Sequence, residues 1–183
     1  MSLKLTIVLI TIVIKKRNAI NDAYKEATIE LSPYFHTWVK LMKLTIDNSV
    51  LERYEKYYFS IHKKAHKKPI QNPYHESINV WMIMQRAAMN NLKQKWKDFM
   101  VWFVDDQGYS NLHIEKCEMY FFTYYGNNRR HDNDNSVPKF ILDGFVESGL
   151  VIDDDNKHIT RISLESGTDI DNPRTDILIN ILN

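Results

Sequence analysis

The stretch RRHDNDNSVPKFILDGFVESGLVIDDD, residues 129–155, decides how this chain is read. Seven of its residues are Asp or Glu. Asp132 and Asp134 stand two apart, and in an extended segment residues i and i+2 share a face, so both carboxylates are expected to point the same way. Two carboxylates that close repel each other unless a cation lies between them. Downstream, Phe140, Ile141, Leu142, Phe145, Val146, Leu150 and Val151 recur at helical spacing. This spacing predicts a short helix over residues 139–149 that packs by one face and returns the chain to Asp153, Asp154 and Asp155. Four or five carboxylates would then gather around a space the size of a hard cation. Oxygen-only ligation suits Mg²⁺ or Mn²⁺, and Mg²⁺ sites combine few carboxylates with waters and substrate phosphate oxygens. The chemistry implied is phosphoryl transfer or phosphodiester hydrolysis. The competing reading is an Asp-rich solvated turn. A calcium-binding EF-hand loop fits less well still, because its sixth position from Asp132 calls for Gly and Val137 stands there.

The order Arg-Arg-x-Asp-x-Asp-Asn from Arg129, Lys-Phe-Ile-Leu-Asp-Gly from Lys139, Gly-Leu-Val-Ile-Asp-Asp-Asp from Gly149 and Asn-Pro-Arg from Asn172, followed by an apolar strand, resembles the RusA-type Holliday junction resolvases, phage versions included. The likeness covers residues 120–181. It implies a small homodimeric, Mg²⁺-dependent endonuclease that nicks four-way DNA junctions symmetrically, with no nucleotide cofactor. Carried over by position, the paired acidic ligands fall on Asp132 and Asp134, and the downstream basic residue falls on Lys139. The third acid falls in the run Asp153 to Asp155: counting from Asp143 favours Asp154, and counting back from Ile159 favours Asp155. Lys139 departs from the family pattern by lying one residue further from Asp134, with Pro138 before it. Asn21 and Tyr24 resemble the loop after the family's first strand, although the usual Pro and Ser are missing. Lys15, Lys16, Arg17 and Asn21 in that loop, together with Arg129 and Arg130, are candidate DNA contacts, the basic ones to phosphate.

A chain of 183 residues fits one domain. Its net charge of +1 conceals an asymmetry. Residues 1–130 hold 20 Lys and Arg against 12 Asp and Glu, a balance of +8, whereas residues 131–183 hold 4 against 11, a balance of −7. A basic body around an acidic centre suits a nuclease, because the surround attracts phosphates and a metal lets them approach carboxylates. The alternative is chance segregation of solvated charges. Cys117 is the single cysteine, so an internal disulfide is excluded and a reducing, cytoplasmic setting with a buried thiol is expected. The apolar run at residues 5–14 is too short to span a bilayer, and Lys15, Lys16 and Arg17 follow it where a secretory signal would carry a cleavage site. It reads as a β-strand, and no membrane partner is expected.

Segments 26–44 and 50–66 have helical spacing in parts, with Asp47, Asn48 and Ser49 as a cap or turn between them, so residues 25–70 read as a helical elaboration. The cluster HKKAHKK at residues 62–68 reads as a DNA-backbone contact or as a solvated helix end. Pro69 and Pro73 mark a loop. A long amphipathic helix is expected over 75–104, ended by Asp105, Asp106, Gln107 and Gly108. Residues 112–125 read as a strand that delivers the chain to the acidic stretch, and 158–166 and 175–182 read as two closing strands around a loop at 171–173. The whole is expected to be one α/β domain, a small mixed sheet flanked by helices. Three functions remain in view: a junction-resolving endonuclease, a nuclease for other branched DNA, and a DNA-binding protein that cuts nothing.

Overall fold

The computed structural model describes residues 27–28 and 38–182. The expected strand at 5–14 and the candidate contacts Lys15, Lys16, Arg17 and Asn21 lie outside the described residues. The elements run β1 (Ala27–Thr28), β2 (Trp38–Asp47), α1 (Asn48–Ile61), α2 (Ile78–Trp81), α3 (Arg86–Asp106), β3 (Cys117–Tyr125), a 3-10 turn (Asn133–Ser136), α4 (Lys139–Glu147), β4 (Ile159–Thr168) and β5 (Arg174–Ile181). The sheet order is β1-β2-β5-β3-β4. β5 is antiparallel to both β2 and β3, whereas β3 and β4 are parallel and are joined through α4. A parallel pair needs such a crossover, so β3, the acidic stretch, α4 and β4 form one βαβ unit. This is the mixed α/β domain that the sequence predicts.

Register explains the core. Met42 and Leu44 face Ile179 and Ile177 across β2 and β5, and the same two isoleucines face Met119 and Phe121 of β3. All of these are buried and form one apolar face. Against it lie Trp96, Phe99, Met100 and Phe103 of α3, Phe140, Ile141 and Phe145 of α4, and Val50 and Tyr54 of α1. Cys117 is buried in this core, and burial pushes its thiol up to about 11, so it stays protonated and inert as expected.

Several boundaries differ from the sequence reading. Helical spacing over 26–44 does not give a helix at its end: Trp38–Asp47 is a strand inside the sheet, because alternating Met42, Leu44 and Ile46 meet β5. The helical elaboration expected at 25–70 is therefore α1 alone among the described residues. Asp47 is its cap, with the carboxylate accepting from the Val50 N–H at 2.9 Å. The helix expected over 75–104 is divided into α2 and α3, with the chain turning between Trp81 and Arg86. β3 begins at Cys117 and not at Leu112, since Asn111 and His113 adopt positive φ and the chain there follows the end of α4, His113 N donating to Gly149 O at 2.8 Å. The two closing strands are present but are not neighbours, because β3 lies between them. No described helix is long and apolar enough to cross a membrane.

Candidate functional site

The site begins where β3 ends. Tyr125 is the last residue of β3, and it holds the following loop at two points. Its ring stacks on His131 with centroids 3.6 Å apart, and its hydroxyl lies 2.7 Å from Ser136 Oγ. Asn127 Oδ1 accepts from the Arg129 N–H at 3.0 Å and lies 3.1 Å from His131 Nε2. The loop that carries Arg129, Arg130 and Asp132 is thus braced on a strand end, which suits a functional constellation.

Asp132 has extended backbone, but Asp134 lies inside the 3-10 turn. The strand alternation expected to aim both carboxylates one way is therefore broken between them. The turn is held by Asn135 N donating to Asp132 O at 3.1 Å and by the Ser166 hydroxyl on Asn133 Oδ1. The Arg130 guanidinium lies 3.4 Å from Asp132 Oδ1, and both side chains are open to solvent. Asp134 is exposed, and among the described residues no hydrogen bond or ion pair engages its carboxylate.

Lys139 opens α4 and is the hub of the second half. Its ammonium donates to Asp143 Oδ1 and to Asp154 Oδ2, both at 3.0 Å, while Lys93 Nζ lies 2.9 Å from Asp143 Oδ2. Burial alone would raise the Asp143 carboxyl, but the two lysines outweigh it and hold the group below its ordinary value. Burial likewise works against the Lys139 charge, and its two carboxylates reverse that effect and raise its pKa.

The neighbouring acids do other work. Asp155 Oδ1 accepts from Lys157 N at 2.9 Å, His158 N at 3.1 Å and His158 Nδ1 at 2.7 Å, so this carboxylate caps the turn before β4 and its pKa is lowered, chiefly by His158. Asp153 Oδ1 accepts from Asp154 N at 2.8 Å. Of the three consecutive acids, Asp154 is the one brought to Lys139.

The expected gathering of four or five carboxylates does not occur: among the described residues no three His, Cys, Asp or Glu side chains converge on one ion-sized point. The physical reason is visible in the partners just named, since Asp154 is neutralised by Lys139 and Asp155 by its turn. A hydrated Mg²⁺ held by one or two carboxylates is still compatible with the donors, because Asp132 and Asp134 offer solvent-facing oxygens of the right kind.

Beside the loop lies an open groove of about 360 Å³ lined by Tyr74, His75, Glu76, Tyr125, Arg130, His131 and Asp132, among others. The residues on its far wall carry no signal in the sequence beyond the proline-marked loop. His75 Nε2 accepts from the Phe140 N–H at 3.3 Å, and Nδ1 donates to Glu76 O at 2.7 Å. The imidazole thus satisfies an otherwise unpaired N–H at the start of α4, a role only the neutral ring can fill. Burial lowers its pKa to about 4. Burial also raises the Glu76 carboxyl, partly offset by Trp96 Nε1 donating at 2.7 Å. Two loops, one before α2 and one after β3, are thereby locked around the N-terminus of α4.

No protein-family model and no curated protein matches this chain.

Proposed function

We propose that the protein is a Mg²⁺-dependent endonuclease that acts as a homodimer on four-way DNA junctions and nicks them symmetrically. The observation that carries the reading is the neighbourhood of Lys139: an ammonium held 3.0 Å from Asp154, at the head of the helix that follows the Asp132–Asp134 turn. Asp132 and Asp134 would hold the ion, with Mn²⁺ as a substitute. An ion held there would supply a nucleophilic water at neutral pH and would offset negative charge on the scissile phosphate. Asp154 and Asp143 aim the Lys139 ammonium, which steadies charge developing on the phosphate oxygens. Arg130, which lines the groove, and the neighbouring exposed Arg129 would contact backbone phosphates. Selectivity for the junction comes from its shape and not from base reading.

Two other readings keep a specific footing. The carboxylates do not converge and Asp132 is already paired with Arg130, which favours a DNA-binding protein that cuts nothing. No feature of the groove specifies four arms, which leaves a nuclease for other branched DNA. One experiment separates all three: an end-labelled four-way junction, a flap and a duplex are incubated with the protein, with and without Mg²⁺, and resolved on a denaturing gel. Paired nicks in the junction only, and only with metal, support the proposal. Equal cutting of flap and junction supports the broader nuclease, and binding without cutting under Mg²⁺ or Mn²⁺ supports the third reading. Asp134→Asn should retain junction binding while cleavage falls by about two orders of magnitude or more.

A further inference from the structure

β4 is an outer strand of the sheet, with β3 on one side, and among the described residues no strand pairs with its other side. An edge strand turns alternate backbone N–H and C=O groups outward, and proteins ordinarily blunt such an edge with proline, like charges or a bulge. Here the register irregularity sits at the start, opposite Cys117 and Glu118, and from Arg161 onward the strand is regular and lacks proline. The centre reads Arg161-Ile162-Ser163-Leu164-Glu165, a segment that complements itself when reversed. Ile162 and Leu164 are in register with the buried Met119 and Phe121, so they belong to the apolar face, yet Ile162 is 42% exposed. Arg161 is also mostly exposed and lies a loose 3.8 Å from Glu118.

We propose that the outer edge of β4 pairs antiparallel with β4 of a second copy of this chain about a two-fold axis at Ser163, joining two sheets into one. Directly opposed residues in an antiparallel pair share a face and interact. Arg161 of each copy then meets Glu165 of the other, Ile162 meets Leu164, and Ser163 meets itself, so one contact set serves both copies as an isologous interface requires. The charges that would repel a like-charged stranger attract a reversed twin. The alternative occupant is the apolar segment 5–14 of the same chain, which would leave a monomer.

The proposal deepens the dimer of the preceding section and gives it a geometry. Ser166, bonded to Asn133 of the acidic turn, lies three residues from the axis, about 10 Å along the strand. Two acidic turns would therefore flank one two-fold axis, as paired nicking needs.

The full chain is measured by sedimentation velocity over a dilution series, alongside Arg161→Glu, Glu165→Arg and the double variant. The wild type is expected at twice the chain mass. Each single variant places like charges opposite one another twice and should weaken dimerisation about tenfold or more. The double variant restores opposite charges and should recover it, which also shows that the single variants did not merely unfold. A monomeric wild type, or a dimer indifferent to all three variants, overturns the proposal. Junction cleavage is assayed separately, so failure of the nuclease reading leaves the mass measurement intact, and the reverse also holds.

Discussion

At the scale of single residues, His75 and Lys139 carry the most. His75 is neutral in the folded protein because burial lowers its pKa to about 4, against an ordinary value of 6.5. Between those values the unfolded chain binds a proton that the folded chain refuses, so stability rises with pH across the window. It is complete above about pH 6.5 and is lost as pH falls toward 4, by about 3 kcal/mol in total. Chemical denaturation at a series of pH values should show this slope, and His75→Gln should flatten it. Lys139 tests a different matter. Its own side chain is 45% exposed and the more buried partner, Asp143, keeps Lys93, so Lys139→Met should change stability by only about 1 kcal/mol. If the ammonium faces the reacting phosphate, cleavage of a labelled junction should nonetheless fall by about a hundredfold. A loss of cleavage matched by an equal loss of folded protein would make Lys139 a purely structural residue. The third acid could not be chosen from spacing, since Asp154 and Asp155 each satisfied one count. The structure separates the two by their partners: Asp154 turns toward Lys139 and Asp155 caps its own turn.

At the scale of elements, three glycines set where the helices stop and how closely they approach. α3 and α4 both end in Schellman motifs: Gly108 N donates to Asp105 O and Tyr109 N to Val104 O, and Gly149 N donates to Val146 O and Leu150 N to Phe145 O. Gly108 and Gly149 have φ of +75° and +68°. A side chain on Gly108 would meet nothing within 4 Å, so Gly108→Ala should cost only the left-handed strain, about 1 kcal/mol. Gly149 adds a Cβ contact of 2.9 Å to the Asn111 side chain. Gly144 in mid-α4 would place Cβ 2.3 Å from Met100 Cβ on α3, so Gly144→Ala must separate the helices. It should cost about 3 kcal/mol, the upper end for overpacking, and thermal denaturation should rank the three with Gly108→Ala mildest. The sequence marks two of these positions by composition, Gly108 after Asp-Asp-Gln and Gly149 at the end of an apolar run. Gly144 looks like an ordinary helix weakness until α3 is placed against it.

At the scale of the whole molecule, the charge asymmetry makes its own prediction. If Arg129 and Arg130 contact phosphates, replacing both with Gln should reduce the slope of log K against log salt by about 2 in junction binding measured across a salt series. An unchanged slope would place the contacts elsewhere on the basic part of the chain. The sequence by itself determined the class of fold, the order strand, acidic turn, helix and strand around α4, a cap or turn at residues 47–49, the burial of Cys117 and the residue types at the candidate site. These are local matters, decided by period, capping chemistry and the order of elements. Only the tertiary structure decided that Trp38–Asp47 belongs to the sheet, that β3 separates β4 from β5, and that His75 reaches across to α4. It also decided that the Asp132–Asp134 pair is broken by a 3-10 turn and that Asp154 faces Lys139. Strand neighbours and side-chain partners far apart in the chain are chosen by which buried faces and unpaired polar groups must be satisfied together, and no window of sequence contains both halves of that choice.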